Sequence, residues 1–186
     1  MPVSQDLEEK VKSMFGFVPN SLAEMCKDPF TIQVYLQGIN LKKEHATLTF
    51  IQRHIVEYIT SALNGDEYCI QMHAKFLKTK AGFTVDELNE MKYGGLPSAT
   101  SHPDVIPIIK LVRTVINKKG KLTNEDILQF ENMKITRDQM YEVITSIHLK
   151  SIQNYVNNLS NPLLDERFAD NSSQIQTQSS SSQQRK

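Results

Sequence analysis

Apolar residues recur at every third or fourth position over much of the chain, and few stretches alternate apolar and polar residues. This spacing predicts helices rather than strands, because it gathers the apolar side chains on one face of a helix. The clearest case is residues 48–63, where Ile51, Ile55 and Ile59 form one stripe. The sequence therefore predicts an all-α fold without a sheet of consequence, and its main helices cover residues 5–15, 29–40, 48–63, 66–80, 105–118 and 137–159.

Local signals mark the ends of several of these helices. Gly65 tolerates the left-handed conformation that ends a helix, and Asp66 can then cap the next one. Thr84 and Thr136 are each followed three residues later by Glu or Gln, which is the order of a capping box. Thr123 can cap a further short helix in the same way. The second half of the chain is thus predicted to be as helical as the first.

The composition changes near the C-terminus. With 186 residues, 39% of them apolar, the chain is long enough for one domain with a buried core. From residue 170 it becomes rich in Ser and Gln and has almost nothing to bury. We predict one helical domain of residues 1–165 and a disordered tail of residues 166–186.

Charge and cysteine content bear on the partners that the protein binds and on the cellular compartment in which it works. Twenty-one basic residues balance twenty-one acidic ones, so the composition does not support a nucleic-acid or membrane partner. No apolar run approaches the ~20 residues of a membrane span, and the first residues lack the pattern of a secretory signal. Only Cys26 and Cys69 are present, which excludes a disulfide framework. We therefore expect a cytoplasmic protein.

Cys69 and His73 are the main chemical candidates. Cys69 follows Asp66 by three residues, so it lies in the first turn of a predicted helix, where the helix dipole favours a thiolate. His73 lies one turn later on the same face and could accept the thiol proton. Asp66 and Glu67 are carboxylates at the same helix end and disfavour a second anion. The alternative, and from spacing alone the more common case, is a buried unreactive cysteine beside a hydrogen-bonded histidine.

The other histidines and the second cysteine are weaker candidates for a functional site. His54 lies on the preceding predicted helix, off the isoleucine stripe, and approaches Cys69 if the two helices pack antiparallel. Cys26 is predicted to fill the core. No spacing among the cysteines and histidines is typical of a zinc site, so we predict neither a metal nor another cofactor. The remaining histidines are scattered: His45, His102 and His148.

The segment 48–77 resembles the AhpD-like superfamily, which includes carboxymuconolactone decarboxylases, alkylhydroperoxidase D and peroxidase-related proteins. The family pattern is a glutamate-bearing helix followed by Asn-Gly-Cys-x-Tyr-Cys-x-x-x-His. The matching residues here are Asn64, Gly65, Tyr68, Cys69 and His73. Further similarity to the peroxidase-related branch lies at Val18-Pro19-Asn20, Asp28-Pro29, the helix around 105–118 and Asn154.

The resemblance implies an all-helical subunit that assembles into dimers, trimers or hexamers. In the alkylhydroperoxidase branch, two cysteines cycle between dithiol and disulfide to reduce peroxides, while a glutamate and a histidine relay protons. By position, Cys69 is the cysteine that attacks the peroxide and His73 is the relay histidine. The resemblance implies no cofactor.

Two departures from the pattern affect this mechanism. Asp66 stands where the first cysteine should be, and His54 stands where the relay glutamate should be. A sulfenic acid on Cys69 would therefore need Cys26, a neighbouring subunit or an external thiol to resolve it. His54 could still move protons, because imidazole suits acid–base chemistry near neutral pH.

Three functions follow as hypotheses. The leading one is a thiol peroxidase with a single cysteine, Cys69, assisted by His73 and His54. The second is an oligomeric scaffold that has lost the chemistry. The third is an enzyme in which Asp66, His54 and His73 handle protons and no sulfur reacts. We also predict a homo-oligomer, because the predicted helices 48–63 and 105–116 offer more apolar surface than one small subunit can easily cover.

Overall fold

The computed structural model describes residues 3–169, with the backbone alone at residues 3 and 4, and every regular element in this range is helical. The all-α prediction is thereby confirmed. The Ser/Gln-rich segment from residue 170 lies outside the described residues. The described helices are α1 (Val3–Phe15), α2 (Asn20–Met25), α3 (Pro29–His45), α4 (Phe50–Asn64), α5 (Glu67–Ala81), α6 (Val85–Lys92), α7 (Ile106–Asn117), α8 (Asn124–Asn132) and α9 (Arg137–Ser160), with short 3-10 helices at Pro103–Val105 and Glu166–Phe168.

The predicted caps form as the sequence indicates. Thr84 and Thr136 each accept a hydrogen bond from the backbone N–H three residues on, and the side chain there accepts one in return. Thr49 and Thr123 build the same arrangement ahead of α4 and α8. Gly65 ends α4 with φ +69°, in the left-handed region. Such caps each contribute about 1 kcal/mol, so the helix ends are well determined locally.

Two large apolar clusters form most of the core, beside a small third one of Tyr68, Cys69 and Phe168. The larger one surrounds α4, whose Ile55, Val56 and Ile59 are buried against Leu111 and Val112 of α7 and other side chains from α5, α6 and α9. The smaller cluster joins α1, α2 and α3 near the N-terminus. The long helix α9 packs on α2, α3, α4 and α7 and so connects the two clusters. The candidate residues lie where α4, α5 and α9 meet.

The apolar faces of α4 and α7 are used inside the subunit. Ile55, Ile59, Ile108 and Val112 are each almost fully buried within the described chain. These faces therefore do not provide the exposed apolar surface from which we expected oligomerisation. None of the helices between residues 3 and 169 is long and apolar enough to cross a bilayer.

Candidate functional site

His54 and His73 meet across the α4–α5 pair. The tight turn at Gly65 reverses the chain, so that α4 and α5 pack antiparallel and the two Nδ1 atoms lie 2.9 Å apart. At this distance one ring donates its Nδ1 proton to the other, which fixes complementary tautomers. The flank of α4 that carries His54 thus contacts His73, where the sequence led us to expect an approach to Cys69. Phe76 stacks on the His54 ring, with centroids 4.9 Å apart.

Glu57 is a third member of this group. It was not identified from the sequence. Its Oε2 atom lies 3.6 Å from His73 Nδ1 and 3.8 Å from His54 Nδ1. Its Oε1 atom forms an ion pair with Lys42 of α3. Burial alone would raise the pKa of Glu57, but Lys42 and Lys150 lower it well below its usual range. Glu57 is therefore an anion, and its spacing of three residues from His54 was the sequence signal that could have revealed it.

Both histidines are neutral near pH 7. Burial lowers the pKa of His54, and it lowers that of His73 further, while Glu57 acts in the opposite direction on each. His73 is 2% exposed, and its Nε2 atom has no hydrogen-bond partner among the described residues. A neutral imidazole can accept a proton, so the pair is suited to acid–base chemistry.

Cys69 is fully buried in the first turn of α5. Two donors from α9 reach its sulfur: Asn157 Nδ2 at 3.5 Å and Lys150 Nζ at 3.9 Å. Burial raises the pKa of the thiol strongly, Lys150 opposes this effect, and Asp66 adds to it. The resting form is therefore the thiol. Within the described structure, His73 is hydrogen-bonded to His54, and no hydrogen bond joins it to Cys69.

Lys150 is a buried cation at the centre of the site. Its Nζ atom donates a hydrogen bond of 2.7 Å to Gln153 Oε1, which also accepts one from the Tyr35 hydroxyl at 2.7 Å. Burial would lower the pKa of Lys150, but Cys69, Tyr35 and Glu57 raise it above its ordinary value. Hydrogen bonds hold this charge inside the site, where it can bind or stabilise an anion.

A cavity of about 260 Å³ opens beside these groups, enough for roughly nine water molecules or one small organic molecule. Cys69 and Asp66 do not contribute to its wall, which presents five polar side chains amid apolar ones. The polar ones are His54, Glu57, His73, Lys150 and Gln153, and the others are Phe15, Phe17, Pro19, Leu22, Tyr35, Ile39, Tyr68, Met72, Phe76 and Phe168. A larger cleft of about 670 Å³ lies elsewhere and contains none of the candidate residues.

Residues 35–97, which hold all the predicted site residues, match the carboxymuconolactone decarboxylase family. The fold is similar to that of a peroxidase-related protein from Silicibacter sp. TM1040, with a TM-score of 0.68, 14% identity, and coverage of 90% of this chain and 89% of that one. The predicted resemblance to the AhpD-like superfamily is confirmed.

A second solved structure agrees with this assignment. It is described as the alkylhydroperoxidase AhpD core of an uncharacterised peroxidase-related protein from Ralstonia eutropha JMP134. Its TM-score is 0.68 and its identity is 15%, with coverage of 89% of this chain and 86% of that chain. No curated protein matches the sequence significantly. At these identities the solved structures establish the AhpD-like fold and leave the activity to be argued from the site.

Asp66, which by the resemblance stands in place of the first cysteine of the AhpD-like pattern, stabilises the start of α5. Its side chain accepts a hydrogen bond from the Cys69 backbone N–H at 3.2 Å and caps α5. It also accepts bonds from Asn154 Nδ2 at 2.7 Å and Asn157 Nδ2 at 2.8 Å. These bonds connect the start of α5 to α9, and Asp66 does not face the cavity. An enzyme in which Asp66, His54 and His73 handle protons would therefore have to work without Asp66 in the cavity wall.

Glu57 places a carboxylate beside both histidines of the site. By the resemblance, His54 stands at the position of the relay glutamate, and Glu57, one turn further along α4, brings its carboxylate to His73. Cys26, by contrast, lies in the N-terminal cluster of α1, α2 and α3, where burial raises its pKa to about 11. Cys69 packs with Tyr68 and Phe168 in a different cluster. Both cysteines are free thiols.

Proposed function

We propose that the chain is a thiol-dependent peroxidase in which Cys69 reacts with the peroxide and His73, with His54 and Glu57, handles protons. The observation that carries this proposal is the pair of donors on the Cys69 sulfur, Lys150 Nζ at 3.9 Å and Asn157 Nδ2 at 3.5 Å. A cation and an N–H donor at these positions stabilise the thiolate that the reaction requires.

The reaction has two parts. The Cys69 thiolate attacks one oxygen of the peroxide, the O–O bond breaks, and the other oxygen leaves as an alcohol or water after taking up a proton. Cys69 is then a sulfenic acid. An external thiol condenses with it to a mixed disulfide and water, and a second thiol releases reduced Cys69. The external thiol replaces the local partner that Asp66 has removed.

We expect a slow peroxidase at neutral pH, because Cys69 is a thiol in the resting protein. Because burial raises the pKa of Cys69, only a small fraction of the protein holds the thiolate near pH 7. Turnover should increase with pH as long as the pH stays below that pKa. The charge of Lys150 lowers the pKa of Cys69 and so increases the fraction of thiolate, against the larger effect of burial.

The test follows hydrogen peroxide consumption by the purified chain with an excess of dithiothreitol. Cys69→Ser should reduce the rate to that of the buffer, and His73→Gln should slow it by about 10²-fold, the usual scale of acid–base assistance. Cys26→Ser is the matched control, since Cys26 is also buried with a raised pKa, and it should retain the wild-type rate. Equal rates for wild type and Cys69→Ser would refute the proposal and favour the scaffold hypothesis.

A second candidate is an enzyme that uses the histidines and no sulfur. One observation favours it: His54, Glu57, His73 and Lys150 line the cavity, whereas Cys69 does not. Mass spectrometry of the intact chain after substoichiometric peroxide separates the two. The peroxidase proposal requires an added oxygen or a disulfide on Cys69, while the second candidate leaves Cys69 unchanged.

A further inference from the structure

We propose that His54, Glu57 and His73 form a binding site for a divalent transition-metal ion, and that Zn²⁺ is the ion whose preferences it meets. One ligand atom from each side chain lies within 4.8 Å of the other two. The atoms are His54 Nδ1, His73 Nδ1 and Glu57 Oε2. The cluster could not be predicted from the sequence as a metal site, because its members come from two helices and have no metal-site spacing along the chain.

The distances among the three atoms fit a metal ion. They are 2.9 Å between the two nitrogens, 3.6 Å from His73 to Glu57 and 3.8 Å from His54 to Glu57. A triangle with these sides has one point about 2.0 Å from every corner, and Zn–N and Zn–O bonds are about 2.0–2.2 Å. An ion at or just above that point needs side-chain shifts of only a few tenths of an ångström, mainly to separate the two nitrogens.

The donor set also points to a reactive site. Two imidazole nitrogens and one carboxylate oxygen are the ligands of the His₂Glu class of zinc enzymes, which leave a fourth position open for water or substrate. All three side chains line the cavity of about 260 Å³, so this fourth position is reached from the cavity. The set contains no sulfur, which distinguishes the site from the Cys69 environment.

The surroundings support two of the three ligands. Lys42 binds Oε1 of Glu57, which leaves Oε2 for the ion and fixes the carboxylate in the way that outer-shell partners usually do. A metal on Nδ1 would place the His73 proton on Nε2, which has no acceptor among the described residues, so this ligand lacks the outer-shell partner that Glu57 has. Phe50 and Phe76 hold the His54 ring, with centroids 4.3 Å and 4.9 Å from its own.

Lys150 acts against the ion. It is buried close enough to Glu57 and His73 to affect the pKa of each. A cation at this position repels a divalent ion, and the low polarity of the interior strengthens that repulsion. Lys150→Met should therefore increase the affinity for Zn²⁺ by at least tenfold, an effect that a nonspecific surface site would not show.

The experiment titrates Zn²⁺ into the full chain, freed of metal by dialysis against a chelator, and measures the heat of binding. We expect one ion per chain, and at least a hundredfold loss of affinity in each of His54→Gln, Glu57→Gln and His73→Gln. His148→Gln is the matched control, because His148 is an exposed histidine whose Nδ1 bonds the Ile144 carbonyl. Cys69→Ser is a second control. Both controls should bind as the wild type does.

Cobalt substitution tests the wild type without any variant. Co²⁺ at this site should give the visible absorption of a four- or five-coordinate nitrogen and oxygen site, without a thiolate charge-transfer band. A thiolate band, the absence of stoichiometric binding, or unchanged binding in His54→Gln and His73→Gln would each overturn the proposal. No peroxide is present in these measurements, so they test the metal site independently of the peroxidase function.

Discussion

The reactivity of Cys69 is decided by a few neighbouring charges and by its burial. Burial is the largest influence and raises the pKa of the thiol, Lys150 acts against it, and Asp66 raises the pKa further. Since an N-terminal helix turn contributes only about 0.3–1 kcal/mol, burial and Asp66 outweigh the helix dipole here. The position in the first turn, which favoured a thiolate when the sequence was considered alone, is therefore insufficient to produce one at rest.

This balance predicts the pH profile of alkylation. In a Cys26→Ser background, the rate of reaction between Cys69 and iodoacetamide should still be increasing well above pH 9, because burial raises the pKa of the folded thiol above that of an ordinary cysteine. Asp66→Asn should shift the profile to lower pH, since it removes a carboxylate while Asn still caps α5. A profile with the midpoint of an ordinary free cysteine would contradict this account. The measurement is mass spectrometry of the alkylated chain.

The ion pair of Lys42 with Glu57 should be measurable as stability. Lys42 is 16% and Glu57 11% exposed, so removing the cation leaves a nearly buried carboxylate with less compensation. Lys42→Met should lower the free energy of unfolding by about 1–3 kcal/mol, less than for a fully buried pair because Lys150 remains nearby. Lys43→Met is the control on the exposed side of α3 and should change it by less than about 0.5 kcal/mol. Urea denaturation of the three proteins gives the comparison.

At the scale of elements, the helices could be predicted because their signals are local. The stripe of Ile51, Ile55 and Ile59 predicts the helix α4, although the structure buries this helix on all sides over residues 55–61. Thr84, Thr136 and Gly65 mark helix ends through bonds within a few residues. The polar site depends on contacts across the chain instead. Glu57 and Lys150 are far apart in sequence, and neither has a local pattern that indicates a neighbour on another helix. The pair Cys69 and His73 was found because the two residues lie one turn apart.

The turn at Gly65 places α5 against α4 and thereby brings His73 to His54. Its φ of +69° is costly for residues with a Cβ, and an added Cβ would meet no atom within 4 Å. Gly65→Ala should therefore lower the free energy of unfolding by about 1 kcal/mol through the backbone alone. Gly65→Asn should cost less, because Asn tolerates the left-handed region. Equal losses in thermal denaturation would point to a clash rather than to the backbone conformation.

At the scale of the whole molecule, the described chain leaves several large apolar side chains exposed. They include Leu159 at 86% and Leu163 at 82%, near the end of α9, and Phe30 at 77% at the start of α3. Such side chains offer contact area to a partner, although single exposed apolar residues are common on monomers. The expectation of assembly therefore rests on these exposed side chains, because the apolar faces of α4 and α7 are buried in the core.

We predict that the chain forms a homo-oligomer, as the AhpD-like resemblance implies, and that the region around Leu159 and Leu163 takes part. Closed assemblies of identical subunits are the most common arrangement of soluble oligomers, and an apolar cluster is the usual centre of their interfaces. The double variant Leu159→Lys with Leu163→Lys places charges there and should shift the chain to a monomer in sedimentation velocity at micromolar concentration. Leu128→Lys, at a site 58% exposed on α8, is the matched control and should leave the assembly intact. A wild type that sediments as a monomer would refute the prediction, and an oligomer that survives the double variant would place the interface elsewhere.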